Sequence, residues 1–178
     1  MKFLREVCVW QLLQTQTVIG GPGPQVEINE TLISRRKNHA GRVLPHQWIF
    51  GRICRETTEV FMYAVPDRTA TAAILMDTIQ ACIAPSSIII CDIWASYQGI
   101  QTMIDMNYTQ ETVNHTESFV DPTTGAHTQT IESLWPIYKM QNKRQCGTHR
   151  SLVDSYLCEF VWRQRYRKTD CKRTKNGQ

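Results

Sequence analysis

Ser86-Ser87-Ile88-Ile89-Ile90-Cys91-Asp92 is a short, unbroken apolar run closed by a carboxylate. A run without alternation is what a strand buried on both faces shows, and the acid at its C-terminal end stands where α/β sheets usually place ligands. Toward the N-terminus, VEINETLI (26–33) alternates Val26, Ile28 and, less cleanly, Leu32 against Glu27, Asn29 and Thr31. QWIFGRIC (47–54) and EVFMYAV (59–65) are rich in β-branched and aromatic residues. Three such segments in succession predict an antiparallel meander. Pro66-Asp67-Arg68-Thr69 then precedes a helix over 70–83, with Ala73, Leu75, Met76, Ile79 and Ile83 on one apolar face. Beyond Asp92 the pattern predicts a short helix around 94–103, a strand over 109–114, a polar loop (115–127) and a helix from about Thr130, with Thr128 or Thr130 as its N-cap. Strands followed by alternating helices and strands define an α/β chain with a mixed sheet flanked by helices.

The segment 3–13 has helical spacing at Leu4, Val7, Cys8, Gln11 and Leu12, and Gly20-Gly21-Pro22-Gly23-Pro24 ends it, since glycine and proline together support neither a helix nor a central strand. The expected organisation is therefore an N-terminal helical attachment and linker (1–24), a main domain (25–165) and a basic, disordered tail (166–178). At 178 residues, 42% apolar and 20% charged, the chain has an ordinary globular composition. No apolar run approaches the roughly 20 residues of a membrane span, so a membrane partner is not expected. The seven cysteines are scattered and contain no CxxC pair, which indicates neither a disulfide framework nor a zinc ribbon. Residues 1–6 lack the features of a signal peptide, so secretion is not expected and the NxT triplets at Asn29, Asn107 and Asn114 read as chance matches.

The net charge of +4 is unevenly placed: residues 163–178 carry seven basic side chains and one acid, leaving the body slightly acidic. Such a tail suits a polyanion or a nuclear-import receptor, or is simply a solvated terminus. Asp92 reads either as a site residue or as a helix N-cap, because an acid at a buried strand end must be solvated, paired or metal-bound. Glu132 lies in the first turn of its helix, where an acid also complements the dipole, and Lys139 follows two turns later on the same face. Glu27 and Asn29 share a face of the first strand. They meet Asp92 and Glu132 only if that strand is central and borders the strand ending at Asp92.

The segments VEINET (26–31), RRKNHAGR (35–42), QWIFG (47–51), VPDRTA (65–70), CDIWASY (91–97), VNHTESFVDPTTGAHTQTIESLW (113–135) and YLCEFVWR (156–163) resemble, in collinear order over about 20–165, the DDE transposase domain of the bacterial ISXO-two-like insertion sequences and their eukaryotic relatives, the Merlin transposons. The resemblance implies an RNase H-like fold and a DNA transposition reaction. In that reaction a phosphodiester is hydrolysed at a transposon end and the freed 3′-hydroxyl attacks target DNA, with Mg²⁺ or Mn²⁺ as cofactor. By position, Asp92 matches the second acid of the triad, Glu132 the third and Lys139 the basic residue that follows. The first acid is expected where this chain has Asn29, a degenerate catalytic and metal position.

An amide there removes one negative charge and keeps one comparable oxygen donor, so the resemblance implies impaired catalysis. Glu27 stands about 6.6 Å along the strand from Asn29, too far to substitute. Ser86 and Ile93 are milder departures affecting loop shape. Residues 1–24 resemble the end of a lost DNA-binding region. Arg35, Arg36, Lys37 and Arg42, with Lys139, Arg163 and Arg165, are candidate DNA contacts, although the first cluster also reads as a solvated turn. Trp94, Trp135 and Trp162 read as core anchors, His115 as a structural hydrogen-bonding residue, and His127 as a candidate at the metal site or on DNA. The implied partners are DNA and a second copy in a homo-oligomer. The implied location is the nucleus for a eukaryotic chain and the cytoplasm otherwise. A non-catalytic DNA-binding or protein-interaction module, or a transposon relic, are the alternatives.

Overall fold

Every strand of the meander finds an apolar partner on each face, and this decides the layering. The computed structural model describes residues 2–15, 18–33, 47–65, 71–144 and 149–173. The elements in chain order are α1 (Lys2–Gln14), β1 (Ile19–Gly20), β2 (Gln25–Leu32), β3 (Trp48–Cys54), β4 (Val60–Val65), α2 (Thr71–Cys82), β5 (Ile83–Ala84), β6 (Ile88–Asp92), β7 (Thr109–Val113), α3 (Gln129–Arg144) and α4 (Val153–Arg173), with short 3₁₀ turns at Ala95–Thr102, Ile104–Met106 and Arg150–Leu152. The main sheet has the order β4-β3-β2-β6-β7. β2, β3 and β4 form the antiparallel meander, while β6 pairs parallel with β2 and β7 parallel with β6.

The sheet is therefore mixed, with β2 at its centre. On one face Val26, Ile28, Ile89 and Cys91 pack against Leu75 and Ile79 of α2 and against Tyr97 and Ile100. On the other, Ile49, Ile53 and Met62 pack against Ile131, Trp135 and Tyr138 of α3 and Leu157 and Phe160 of α4. Each fully buried side chain of this size stabilises the fold by about 1.5–3 kcal/mol. Because both faces are covered, the polar positions of β2 are not turned to solvent as their alternation suggests: Glu27, Asn29 and Thr31 are all buried.

Several boundaries differ from the sequence-based expectation. The glycine-rich break holds a two-residue strand: Ile19 and Gly20 pair parallel with Ile83 and Ala84 at the end of α2. The segment 94–103 winds as a 3₁₀ helix capped at Trp94, so Asp92 is not its N-cap. The last helix, α4, was not foreseen from periodicity, and it continues to Arg173, well into the segment expected to be a disordered tail. α1 does not stand apart: Gln11 accepts a hydrogen bond from Trp162 of α4 at 2.7 Å, and Cys8 and Leu12 are buried. Among the described residues no helix is long and apolar enough to cross a membrane.

Candidate active site

The parallel register aligns Gln25 with Ile88, Val26 with Ile89 and Glu27 with Ile90. The same register carried two residues further brings Asn29 level with Asp92, on the face covered by α3. Asp92 ends β6 beside Val113 of β7. Glu132 lies in the first turn of α3. Its Oε1 accepts a 2.8 Å hydrogen bond from Thr128 Oγ and lies 3.1 Å from His115 Nε2, and Thr128 Oγ and His115 Nε2 are themselves 2.9 Å apart. His115 follows β7 by two residues, so this contact ties the acid of α3 to the end of the sheet that carries Asp92. Asn29 and Asp92 thus share a face of the sheet, and Glu132 is linked through His115 to the chain that follows β7.

Asn29 Oδ1 accepts the indole N–H of Trp135 at 3.0 Å. The indole lies over Gly51, the cross-strand partner of Asn29, where any Cβ would collide with it. Glycine at 51 is thus what lets Trp135 reach the strand.

Glu27 is fully buried and engaged on every side. Its Oε2 accepts the backbone N–H of Ile131 at 2.9 Å, and its Oε1 lies 2.5 Å from Arg55 Nε and 3.7 Å from His127 Nδ1. Ile131 is the third residue of α3, where an N-cap side chain ordinarily satisfies the free N–H. Here a carboxylate from the sheet does so and complements the positive end of the helix, while the hydroxyl of Thr128, the residue before the helix, turns instead to Glu132. Arg55 completes the clamp by donating to the His127 carbonyl at 2.5 Å and to the side chain of Gln25.

The remaining candidates are placed as follows. Lys139 lies at the surface of α3, and partial desolvation lowers its ammonium pKa. His127 faces the Glu27 clamp. Arg163 is exposed and paired with Glu159 one turn back, whereas Arg165 is 2.7 Å from Glu59 and also reaches Thr15, tying α4 to the end of α1 and to the turn before β4. Arg35, Arg36, Lys37 and Arg42 lie outside the described residues. Trp135 is buried, as a core anchor should be; its hydrogen bond to Asn29 was not foreseen. Arg55 was missed altogether, and its one sequence signal is a cation directly after a strand that pairs with one bearing a buried-face acid. Next to Asp92, burial pushes the Cys91 thiol up to about 12, and Tyr97, which donates to Glu30 at 2.7 Å on the opposite face, is likewise raised by burial.

Two carboxylates and one neutral amide, whose oxygen already holds an indole N–H, are a thin donor set for a divalent cation, which favours several anionic oxygens. Among the described residues no group of three or more His, Cys, Asp or Glu side chains could hold a metal ion. The residues as they stand do not fit a cation centre.

A mixed five-stranded sheet with helices on both faces is the RNase H-like fold of integrase catalytic cores. The chain superposes on the HTLV-2 integrase catalytic core domain, solved in complex with magnesium in a dimeric form, with a TM-score of 0.52 at 13% identity, covering 80% of this chain and 86% of that one. It is similar to a chain of the simian T-cell lymphotropic virus intasome, solved with the PP2A regulatory subunit B56 gamma, with a TM-score of 0.52 at 12% identity, covering 83% of this chain and 51% of that one. The sequence is more specific: the ISXO2-like transposase domain matches residues 17–165, and the chain belongs to that family. α1 precedes the matched region. No curated protein matches the chain by sequence.

Proposed function

We propose that this is a transposase-derived domain whose ancestral reaction was metal-dependent DNA cleavage and strand transfer, of the insertion-sequence and Merlin type, and that it is catalytically impaired as it stands. Asp92 and Glu132 are the second and third triad positions, Lys139 supports them, and Asn29 is the degenerate first. The single observation that carries the impairment is the Asn29–Trp135 hydrogen bond: the side chain level with Asp92 is a neutral amide with its oxygen already occupied. Glu27, the nearest alternative acid on that face, is committed to Arg55 and to the N-terminus of α3. Paired cations holding an in-line phosphoryl displacement require carboxylates that are free to bridge them.

The test compares the chain with its Asn29→Asp variant on a cognate transposon end, in Mg²⁺ and in Mn²⁺. No cleavage by the chain and cleavage by the variant is the expected result; robust cleavage with Asn29 intact refutes the proposal. The second reading, a non-catalytic DNA-binding module, is favoured by the same amide. It expects binding to duplex DNA that weakens steeply with salt and persists without cleavage, in the nucleus of a eukaryotic host and as a homo-oligomer. Failure to bind DNA at all leaves the relic.

A further inference from the structure

α1 is apolar on two opposite sides, and the fold covers one of them. Arg5, Cys8 and Leu12, at i, i+3 and i+7, dock it on α4: Cys8 and Leu12 are buried, and the Arg5 guanidinium lies 4.0 Å over the Tyr156 ring. The other side carries Phe3, Val7 and Trp10 at i, i+4 and i+7, with Leu4 and Leu13 beside them. Phe3 is 73% exposed, Trp10 64%, Leu4 and Leu13 62% each, and Val7 41%. At about 200 Å² for a whole aromatic side chain and somewhat less for Leu or Val, these five present on the order of 550 Å² of apolar surface. That is the upper end for the largest apolar patch of a monomer, and about two-thirds of the roughly 800 Å² that each partner buries in a standard interface.

The same surface holds a socket. Trp10 and Leu13, with Leu152 and Ser155 across from them, line a groove of about 310 Å³. A cavity of about 150 Å³ takes a benzene ring, so the groove admits an aromatic side chain. A projecting Phe3 and a groove for a ring make the surface complementary to itself, which is what a two-fold interface requires. Among the described side chains the charged one on this face is an acid, Glu6, which disfavours DNA or an anionic lipid surface as its cover. We infer that α1 is a dimerisation helix, its exposed face packed antiparallel on the same face of a second copy of this chain. With the two helices crossing between residues 8 and 9, Val7 stands level with Trp10 of the other copy and Leu4 with Leu13, and Phe3 enters the other copy's groove at its Leu13 end. α1 precedes residues 17–165, so this surface lies outside the family match. The inference is independent of the strand-transfer reading, because neither DNA nor a metal enters it.

Sedimentation velocity of the full chain from about 1 to 100 µM, without DNA or divalent cation, tests it. The expected result is a species of twice the 20.6 kDa chain mass, half-formed at about 10 µM and no weaker in about 1 M salt, since apolar contacts are not screened. Trp10→Glu weakens the dimer at least about thirtyfold, as loss of a central aromatic anchor does. Ile104→Glu, at an apolar residue 86% exposed in the turn before β7, leaves it unchanged. Should Trp10→Glu fail to fold by circular dichroism, Phe3→Glu, at the most exposed residue of the face, decides in its place. A monomer at about 100 µM, a dimer that dissociates in about 1 M salt, or one indifferent to these α1 substitutions or equally weakened by Ile104→Glu overturns the inference. So does a monomer that sediments with phosphatidylcholine vesicles through Trp10, which assigns the face to a lipid surface instead.

Discussion

Replacing Glu27 by alanine removes the carboxylate that joins the central strand to the start of α3. Two losses follow. The Ile131 N–H, satisfied at 2.9 Å, loses its capping acceptor, which costs about 1 kcal/mol. Arg55 loses its ion-pair partner; stranding a buried charge costs about 3–5 kcal/mol. Arg55 is 20% exposed and keeps its bonds to Gln25 and the His127 carbonyl, so about 2 kcal/mol is the better figure for that part. The sum, about 3 kcal/mol, is a large share of a typical stability of 5–15 kcal/mol and corresponds to a melting point lower by about 6–12 °C for a chain of this size. Glu27→Gln keeps an oxygen for the Ile131 N–H and loses the charge, so about 1–2 kcal/mol is expected. Urea and thermal unfolding followed by circular dichroism measure both, and amide exchange at Ile131 reports the cap directly. A Glu27→Ala variant within about 0.5 kcal/mol of the parent, with Ile131 exchange unchanged, would show that the clamp is incidental and return Glu27 to the candidates for the first acid.

Gly51→Ala drives a methyl into the Trp135 indole, so a loss of about 1–3 kcal/mol is expected together with a changed indole environment, read by near-ultraviolet circular dichroism. Asn29→Asp sets a second carboxylate level with Asp92, so the variant should unfold at lower temperature than the parent without divalent cation and regain stability as Mg²⁺ is added, which the parent should not. Cys91, raised by burial from 9.0 to about 12, stays protonated in the folded chain while the unfolded chain ionises. Its contribution is therefore intact below pH 9 and declines between pH 9 and 12 by about 1.4 kcal/mol per pH unit, measurable by urea unfolding across that range; Tyr97 adds to the decline. Arg165→Met should loosen α4 from Thr15 and Glu59, speeding proteolysis in the α1 region while leaving α3 protected from amide exchange.

The order of strands and helices through β7 was legible because strand and helix periods are local properties of the chain: Ile88–Asp92 reads as buried, and Thr71–Cys82 shows its apolar face. α4 was not foreseen, although Val153, Leu157, Phe160 and Val161 stand at i, i+4, i+7 and i+8 on one helical face; what the sequence did not carry is that this face packs against the sheet and α3. The strand β1 was hidden because two residues have no period, and it forms only where Ile83 and Ala84 come alongside.

The sequence by itself determined the class of fold, the family, and the identity of the side chains at 29, 92 and 132, all of which depend on what each residue is. What those side chains touch depended on which distant segments meet. Nothing local pairs Glu27 with Arg55 or sets Trp135 over Gly51 onto Asn29; each arises where elements far apart in sequence close on one another and must satisfy buried polar groups with whatever lies opposite. The amide at 29 could be read from the chain, but its engagement, and that of the acid two residues away, came only with the packing of α3 on β2.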